Sequence, residues 1–417
     1  MSDQPNSGGR GLLGWMSSDG KMLLVTKFFR TLAFGYLSTA LPFYFGKDVL
    51  NFSDFLTGII AAVALIGGIA LTITASLIAN KISRRTSLSL FAFLMLVSGT
   101  LLIVSTNVII IFLAVFIGSI GVNATETGPF VSIEQAIMPQ TTTDERRTYA
   151  FSTFNLLGYA GASFGSLLAA IPELARDYLD FSLINGHRIL FALFASTGLL
   201  LMILYRSLSR RAEVEVTRIG RLGLDKSRGT VAKLSVLFSI DAFGGGFVIS
   251  LMISLWFKQR YNTPLSAVGA ILFVTQLITA ASFLIAGPLA KKIGLLNTMV
   301  FTHIPSNLLL IGVGLAPTFE TSVAFLLARQ TLSQMDVPTR QSYMTAIIPS
   351  EERNAANSIT NVSRNIAAAP PPTISGYLIQ SSFWAAPFLL GGLFKIAYDI
   401  SIYLSFRNVK PPEEKDK

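Results

Sequence analysis

Apolar residues come in long runs along this chain, from Met22 to Phe406, each closed by a polar or glycine-containing turn. The runs begin near Met22, Asp54, Ser87, Val108, Thr148 and Arg188, then near Lys233, Leu265, Leu295, Glu320, Asn354 and Phe383. Roughly 20 predominantly apolar residues wound as a helix cross the ~30 Å hydrocarbon core of a bilayer, so each run predicts one spanning helix. The expected fold is an all-α membrane protein of twelve transmembrane helices in two groups of six. Between the groups lies the one long polar connection, dense in charge and without an apolar run able to span. The chain divides accordingly into an N-terminal tail (1–21), a first six-helix bundle (22–206), a basic linker (207–233), a second bundle (234–406) and a C-terminal tail (407–417).

The two groups repeat one another. Arg30, Gly35, Gly58, Ala79, Lys81 and Ile82 stand 211 positions before Asp241, Gly246, Gly269, Ala290, Lys292 and Ile293. Glu126 and the run ending at Pro139 stand 210 positions before Asp336 and the run ending at Pro349. Ionisable groups inside hydrocarbon are costly and mark functional pathways, and duplicated halves are a common plan for carriers. Two pseudo-symmetric bundles with matched internal charges are expected.

Composition agrees with a membrane protein: 51% of residues are hydrophobic and 13% charged, where a soluble domain carries about a quarter charged. A net charge of +10 would by itself suit nucleic acid, but its placement argues otherwise. With both termini cytoplasmic, the inner segments hold Lys81, Arg84, Arg85, Arg146, Arg147, the linker cluster, Lys291 and Lys292, while the outer ones hold only Lys47, Arg176, Arg188, Lys258 and Arg260. The positive-inside rule then fixes the orientation, and the basic linker is an address, with no nucleic-acid partner expected. Residues 1–20 are polar and Gly/Ser-rich, so no cleavable leader is expected. The absence of cysteine excludes thiolate chemistry and Cys-based metal sites, and two histidines, His187 and His303, make a poor basis for a metal centre. Neither a phosphate-binding glycine loop nor a nucleophilic triad is present, which argues against ATP-driven pumping and hydrolysis. No enzyme activity and no bound cofactor are expected.

Twelve spans in two repeated halves, a basic central linker and both ends on one side resemble the major facilitator superfamily. The motif that carries the resemblance is the family's G-x-L-A-D-R-x-G-R-R loop between the second and third spans. Here the segment reads SLIANKISRR, Ser76 to Arg85, and its counterpart GPLAKKIGLL, Gly287 to Leu296. The first keeps Ala79, Arg84 and Arg85; the second keeps Gly287, Leu289, Ala290 and Gly294; Asn80 and Lys291 replace the aspartate. Because that aspartate latches neighbouring helices in the family, the resemblance assigns Asn80, Lys81, Arg84, Arg85, Gly287, Lys291, Lys292 and Gly294 to a conformational loop motif whose latch is weakened or rebuilt. Gly161 to Ser166 has the glycine spacing of the drug-antiporter run, with Ala162 in place of its proline. The segments from Gly128 to Pro139 and from Asp336 to Pro349 are similar to those of exporter-like members. The resemblance implies a cavity between the bundles, a small-molecule substrate and a monomer in the lipid bilayer of the plasma, or inner, membrane.

In the family, spans one, four, seven and ten line the cavity, so Arg30, Glu126, Asp241, Asp336 and Arg340 are expected to face water. Arg364, Glu134, Tyr36 and Tyr343 are further candidates for contact with substrate. Arg30 and Glu126 approach the same depth and are expected to pair, since an unpaired charge there is strongly unfavourable. Arg340 follows Asp336 by four residues on one helical face. Two acids beside one arginine are not both fully neutralised, and a carboxylate that loses its partner takes up a proton. Glu126 and Asp336, then Asp241, are the candidate proton carriers; static salt bridges holding the helices are the alternative. Lys395 and Asp399, four apart in the last span, suggest a local ion pair, and His303 a satisfied helix residue. Pro129, Pro338 and Pro370-Pro371-Pro372 predict loosened or broken helix, and Gly158, Gly161 and Gly165 predict close helix packing.

The expected function is a secondary active transporter that moves a small organic solute by alternating access, driven by the proton gradient in the direction of efflux. One alternative is a carrier of organic anions gripped by Arg30, Arg340 or Arg364. Another is a non-transporting membrane sensor or scaffold, with the linker as its working part.

Overall fold

The computed structural model describes residues 13–78, 82–118, 120–123, 128–143, 146–209, 213, 224, 226–349 and 352–409, and among these there are helices and turns but no strand. The first helix, α1 (Ser18–Phe45), opens on Ser17, whose hydroxyl accepts from the Gly20 amide, with Asp19 in the first turn. Both features suit the exposed N–H groups and positive end of a helix. Other single long helices are α2 (Asp54–Ile78), α3 (Arg84–Val104), α6 (Arg147–Leu168), α8 (Leu183–Arg206), α11 (Leu265–Ile293), α12 (Leu295–Leu315) and α17 (Ala386–Phe406). The rest come as shorter pieces: α4 (Val108–Ile117) and α5 (Pro129–Ile137); α7 (Ile171–Leu179); α9 (Arg228–Gly246) and α10 (Ser250–Tyr261); α13 (Phe319–Gln330) and α14 (Asp336–Ile347); α15 (Arg353–Ala368) and α16 (Pro371–Gln380). Eight helical stretches among the described residues are long and apolar enough to cross a membrane, including those of α2, α3, α8, α12 and α17.

The prolines expected to loosen or break helices stand in the first turns of new ones. Pro129 and Pro371 stand at the start of α5 and α16, and Pro338 falls in the first turn of α14. A first-turn proline has no intrahelical bond to lose, so it sets a start at little cost. Gly128, just before α5, has φ 155°, which an L side chain tolerates poorly. The run Gly244-Gly245-Gly246 ends α9, a break that the apolar pattern does not announce.

Two compact units form. The first contains α1, α2 from Val63 onward, α3 to α8 and the opening of α11, Leu265–Phe273. The second contains the opening of α2, Phe52–Ala62, then α9, α10, α11 from Val274 and α12 to α17. In the first, α1 packs along α6 and against α8, and α3 along α8; in the second, α9 packs along α15 and α17, and α12 along α17. At the α1–α6 seam Gly161 lies against the Phe28 carbonyl and Gly165 against that of Leu32, where a Cβ would strike main chain. Close backbone approach of this kind supplies packing that hydrophobicity does not provide between helices in lipid. In the second unit Leu234, Phe238, Met299, Tyr343, Tyr398 and Ile402 belong to one apolar cluster. Phe238 and Tyr398 of this cluster face the charged groups of the second unit.

Candidate functional site

The first unit holds a sealed ion pair. Arg30 of α1 grips Glu134 of α5 in a bidentate contact, Nη1 to Oε1 at 2.9 Å and Nη2 to Oε2 at 2.5 Å, with both side chains fully buried. The carboxylate also accepts from Tyr205 of α8 at 2.7 Å and from Thr26 at 3.2 Å, and Tyr205 contacts Nη1 of Arg30. Phe130 lies 4.6 Å beneath the guanidinium and stacks on the Tyr205 ring. Paired geometry and several further donors are what offset the desolvation of two buried charges.

This arrangement bears on two expectations. Arg30 pairs with Glu134; the expected partner, Glu126, lies outside the described residues. Arg30, expected to face water, and Glu134 and Tyr36, candidates for contact with substrate, are wholly buried within the packing of the first unit. The reason is local: the aromatic pair Phe130 and Tyr205 closes over the charges.

The second unit builds a different constellation. Asp241 of α9 receives three cations: Lys395 of α17 on Oδ1 at 2.6 Å, and on Oδ2 Arg364 of α15 at 3.0 Å and Arg340 of α14 at 3.2 Å. Nη1 of Arg340 also donates to Asp336 at 3.0 Å, so one guanidinium nitrogen stands between two acids. His303 of α12 lies 2.7 Å through Nδ1 from Asp399 and 4.0 Å through Nε2 from Asp241. Asn307 donates to the other oxygen of Asp399 at 3.0 Å. Phe238 faces both arginines, 5.4 Å from Arg340 and 6.0 Å from Arg364.

A fourth cation, Arg329 at the end of α13, is buried nearby; its Nη1 donates to Gln330 and its Nε finds no acceptor in the protein. The described cluster therefore sets Lys395, Arg340, Arg364 and Arg329 against Asp241, Asp336 and Asp399. Arg364 is its most open member, with 23% of its side chain exposed, against 11% for Arg340 and Lys395. The preceding residue, Ser363, lines a cavity of about 390 Å³ with Ser235, Ser239, Phe243 and Phe394 among others.

Sequence reasoning missed part of this cluster. Lys395 and Asp399 do not form the expected local pair: Lys395 turns to Asp241, and Asp399 to His303 and Asn307. His303, expected to be a satisfied helix residue, is bonded to Asp399, and its other ring nitrogen lies 4.0 Å from Asp241. The available signal was the shared face of Lys395 and Asp399, which must point into protein when a span carries charge. Tyr343, a candidate for contact with substrate, is buried, and its hydroxyl donates to the Val409 carbonyl at 2.9 Å, tying α14 to the residues just after α17.

The conformational loop is described in part, since Asn80 and Lys81 lie outside the described residues. Glu213 of the linker accepts from the backbone amides of Arg84 and Arg85 at the start of α3, at 2.7 and 3.1 Å, and Arg85 donates to the Leu208 carbonyl. Lys291 and Lys292 fall in the last turn of α11, which Gly287 precedes within the helix and Gly294 ends with φ 91°. At the start of α9, Glu352 accepts in the same way from the amides of Lys226 and Ser227, both at 2.9 Å.

The sequence profile of the Major Facilitator Superfamily matches residues 23–333. The chain belongs to that superfamily. An uncharacterized membrane protein of Saccharomyces cerevisiae, YJR124C, is 23% identical over 427 residues, covering 94% of this chain and 95% of its own. Among solved structures, the fold is similar to that of a D-xylose-proton symporter (TM-score 0.71, 17% identity, 95% and 99% coverage). It is also similar to a bacterial homolog of the human lysosomal transporter Spinster in an inward-facing, unoccupied conformation (TM-score 0.72, 12% identity, 93% and 96% coverage). A third likeness is the nucleoside transporter NupG (TM-score 0.69, 13% identity, 94% and 99% coverage). As a superfamily member with these structural relatives, the chain is a membrane transporter and not an enzyme.

Proposed function

We infer that this chain is a secondary active transporter that moves a small organic solute by alternating access, coupled to protons through the Asp241 cluster. The observation that carries this reading is the sharing of Asp241 by Lys395, Arg340 and Arg364, with Asp336 sharing Arg340 and the His303–Asp399 pair 4.0 Å away. An acid held by three cations from three helices changes its proton affinity when any one helix withdraws, so protonation follows the conformation of α9, α14, α15 and α17. Asp336 and Asp241 are the carriers on this reading, and His303 the group that exchanges protons between Asp241 and Asp399. Glu126 stays a candidate from the sequence.

The same reading takes the chain as twelve spans. α1, α2, α3, α6, α8, α11, α12 and α17 each supply one, and the pairs α4–α5, α9–α10, α13–α14 and α15–α16 supply the rest. The recurrence of the α1–α6 contact as α9–α15, and of α3–α8 as α12–α17, supports two pseudo-symmetric bundles. The distribution of basic residues supports cytoplasmic termini, and the family resemblance supports a plasma-membrane monomer. The exporter-like segments favour efflux.

A specific observation also favours an anionic solute: four cations face three acids, and Arg364 uses one nitrogen on Asp241 while remaining partly open. A carboxylate on the free side of Arg364 would compete with Asp241 for its cations and release that acid for protonation. The test begins with thermal-shift screening of the purified chain against organic acids, nucleosides, pentoses and cationic drugs, since a bound ligand stabilises the folded state. Transport of the hit is then measured in proteoliposomes with and without a pH gradient. Gradient-driven accumulation in the wild type, and its loss with retained solute exchange in Asp241→Asn, are expected. Equal flux with and without the gradient would remove the coupling, and no flux at all would remove the carrier.

A further inference from the structure

Away from the charge cluster, the paired helices α3 and α8 enclose a second cavity, of about 560 Å³. They run antiparallel: Gly99 meets Ala195, Gly198 meets Leu96, and Arg85 reaches the Leu208 carbonyl. Glycine contacts hold the two backbones together through their middle. The cavity opens toward the end where α3 begins and α8 finishes, the end that carries Arg85 and Arg206.

Its lining is divided by chemistry. Arg85 and Arg206 flank the mouth, Thr86 and Ser89 supply hydroxyls, and Leu90, Phe93 and Met202 continue the wall toward the middle of the helices. On α3 these residues fall at steps of three and four, hence on one face. Arg85 spends one nitrogen on the Leu208 carbonyl, and neither arginine forms an ion pair among the described residues. The amides at the start of α3 are already taken by Glu213, so an anion here is held by side chains.

The Ser89 side chain is the decisive detail. The residue is 8% exposed and its hydroxyl has no hydrogen-bond partner in the protein, although it lines the cavity. A helical serine commonly bonds back to a carbonyl one turn earlier; this one does not, and a buried hydroxyl without a partner is unfavourable. On the outer wall, Leu90 and Phe93 are 42% and 45% exposed. Two cations at the ends of apolar spans sit at headgroup depth, and the apolar strip runs from them into the hydrocarbon.

We propose that the α3–α8 cavity is a binding site for one anionic phospholipid. The phosphodiester lies between Arg85 and Arg206 and accepts from Thr86 and Ser89, and the acyl chains follow Leu90, Phe93 and Met202. A soluble phosphate would meet the same polar groups but leave the apolar wall unused.

The test uses the full chain, purified in a neutral detergent, with binding of short-chain phosphatidylglycerol, phosphatidylcholine and glycerol phosphate followed by native mass spectrometry and thermal shift. Phosphatidylglycerol is expected to bind at least tenfold more tightly than either of the others. The R85Q/R206Q variant is expected to lose at least tenfold for phosphatidylglycerol, and S89A and F93S several-fold each. R228Q/K233Q removes the same charge from the start of α9 and is expected to bind as the wild type does. S89A and F93S keep the proposal testable if the double arginine variant misfolds. Equal affinity in wild type and R85Q/R206Q, or equal loss in R228Q/K233Q, overturns the site. Glycerol phosphate binding as tightly as the lipid overturns the lipid assignment.

Discussion

Glu134 accepts hydrogen bonds from Arg30, Tyr205 and Thr26 in a space closed to solvent, and its replacement separates geometry from charge. Glu134→Gln keeps the shape but leaves a buried guanidinium without a counter-charge, a change that costs about 3–5 kcal/mol. Tyr205→Phe removes one hydrogen bond to a charged group, worth about 1.5–3 kcal/mol. Thermal unfolding in detergent should therefore rank wild type above Tyr205→Phe, and that above Glu134→Gln. A Glu134→Gln protein as stable as the wild type would mean that the pair contributes nothing net. At this scale the sequence gives incomplete guidance. It marks Arg30, Glu126 and Glu134 as costly residues inside apolar runs, but it does not say which acid Arg30 meets, because the break at Gly128 re-aims α5. In the second unit Asp241 is conspicuous by its match to Arg30, whereas the contribution of His303 depends on how α12 and α17 pack.

At the scale of the helix, most of the chain was legible. Long apolar runs became α2, α3, α8, α12 and α17 because the rule that creates them, backbone hydrogen bonds satisfied within the segment, needs only local sequence. The broken helices were legible where proline or Gly128 punctuates them, and not at Gly244 to Gly246, where glycines serve equally for packing against Gly391. Two substitutions distinguish these uses. Gly165→Leu would push a side chain into the α1 backbone at Leu32 and should separate α1 from α6, abolishing recovery of monodisperse protein. Pro371→Ala lies in a first turn, where the missing N–H is not needed, and should change the melting temperature by no more than a few degrees. Size-exclusion profiles and melting curves check both.

For the whole molecule, the partition into units was only half readable. The polar linker announces two parts, yet the openings of α2 and α11 are each gathered into the unit that does not contain the rest of the helix, an exchange that depends on tertiary packing. The carboxylate caps behave alike: Glu213 serves α3, Glu352 serves α9 and Glu173 serves the start of α11, each from a remote part of the chain. Local sequence could not name these partners, since none lies within the turn that it completes.

The sealed pair has a consequence for biosynthesis. Arg30 reaches the translocon 104 residues before Glu134 and 175 before Tyr205, and a lone arginine at mid-helix opposes insertion by roughly 2.5–3.5 kcal/mol. Ribosome-tethered chains stopped before residue 134 should leave α1 only partly integrated, whereas those extending past Tyr205 should hold it firmly, as carbonate extraction would register. The opening segment of this protein thus waits at the membrane for a counter-ion that has yet to be synthesised.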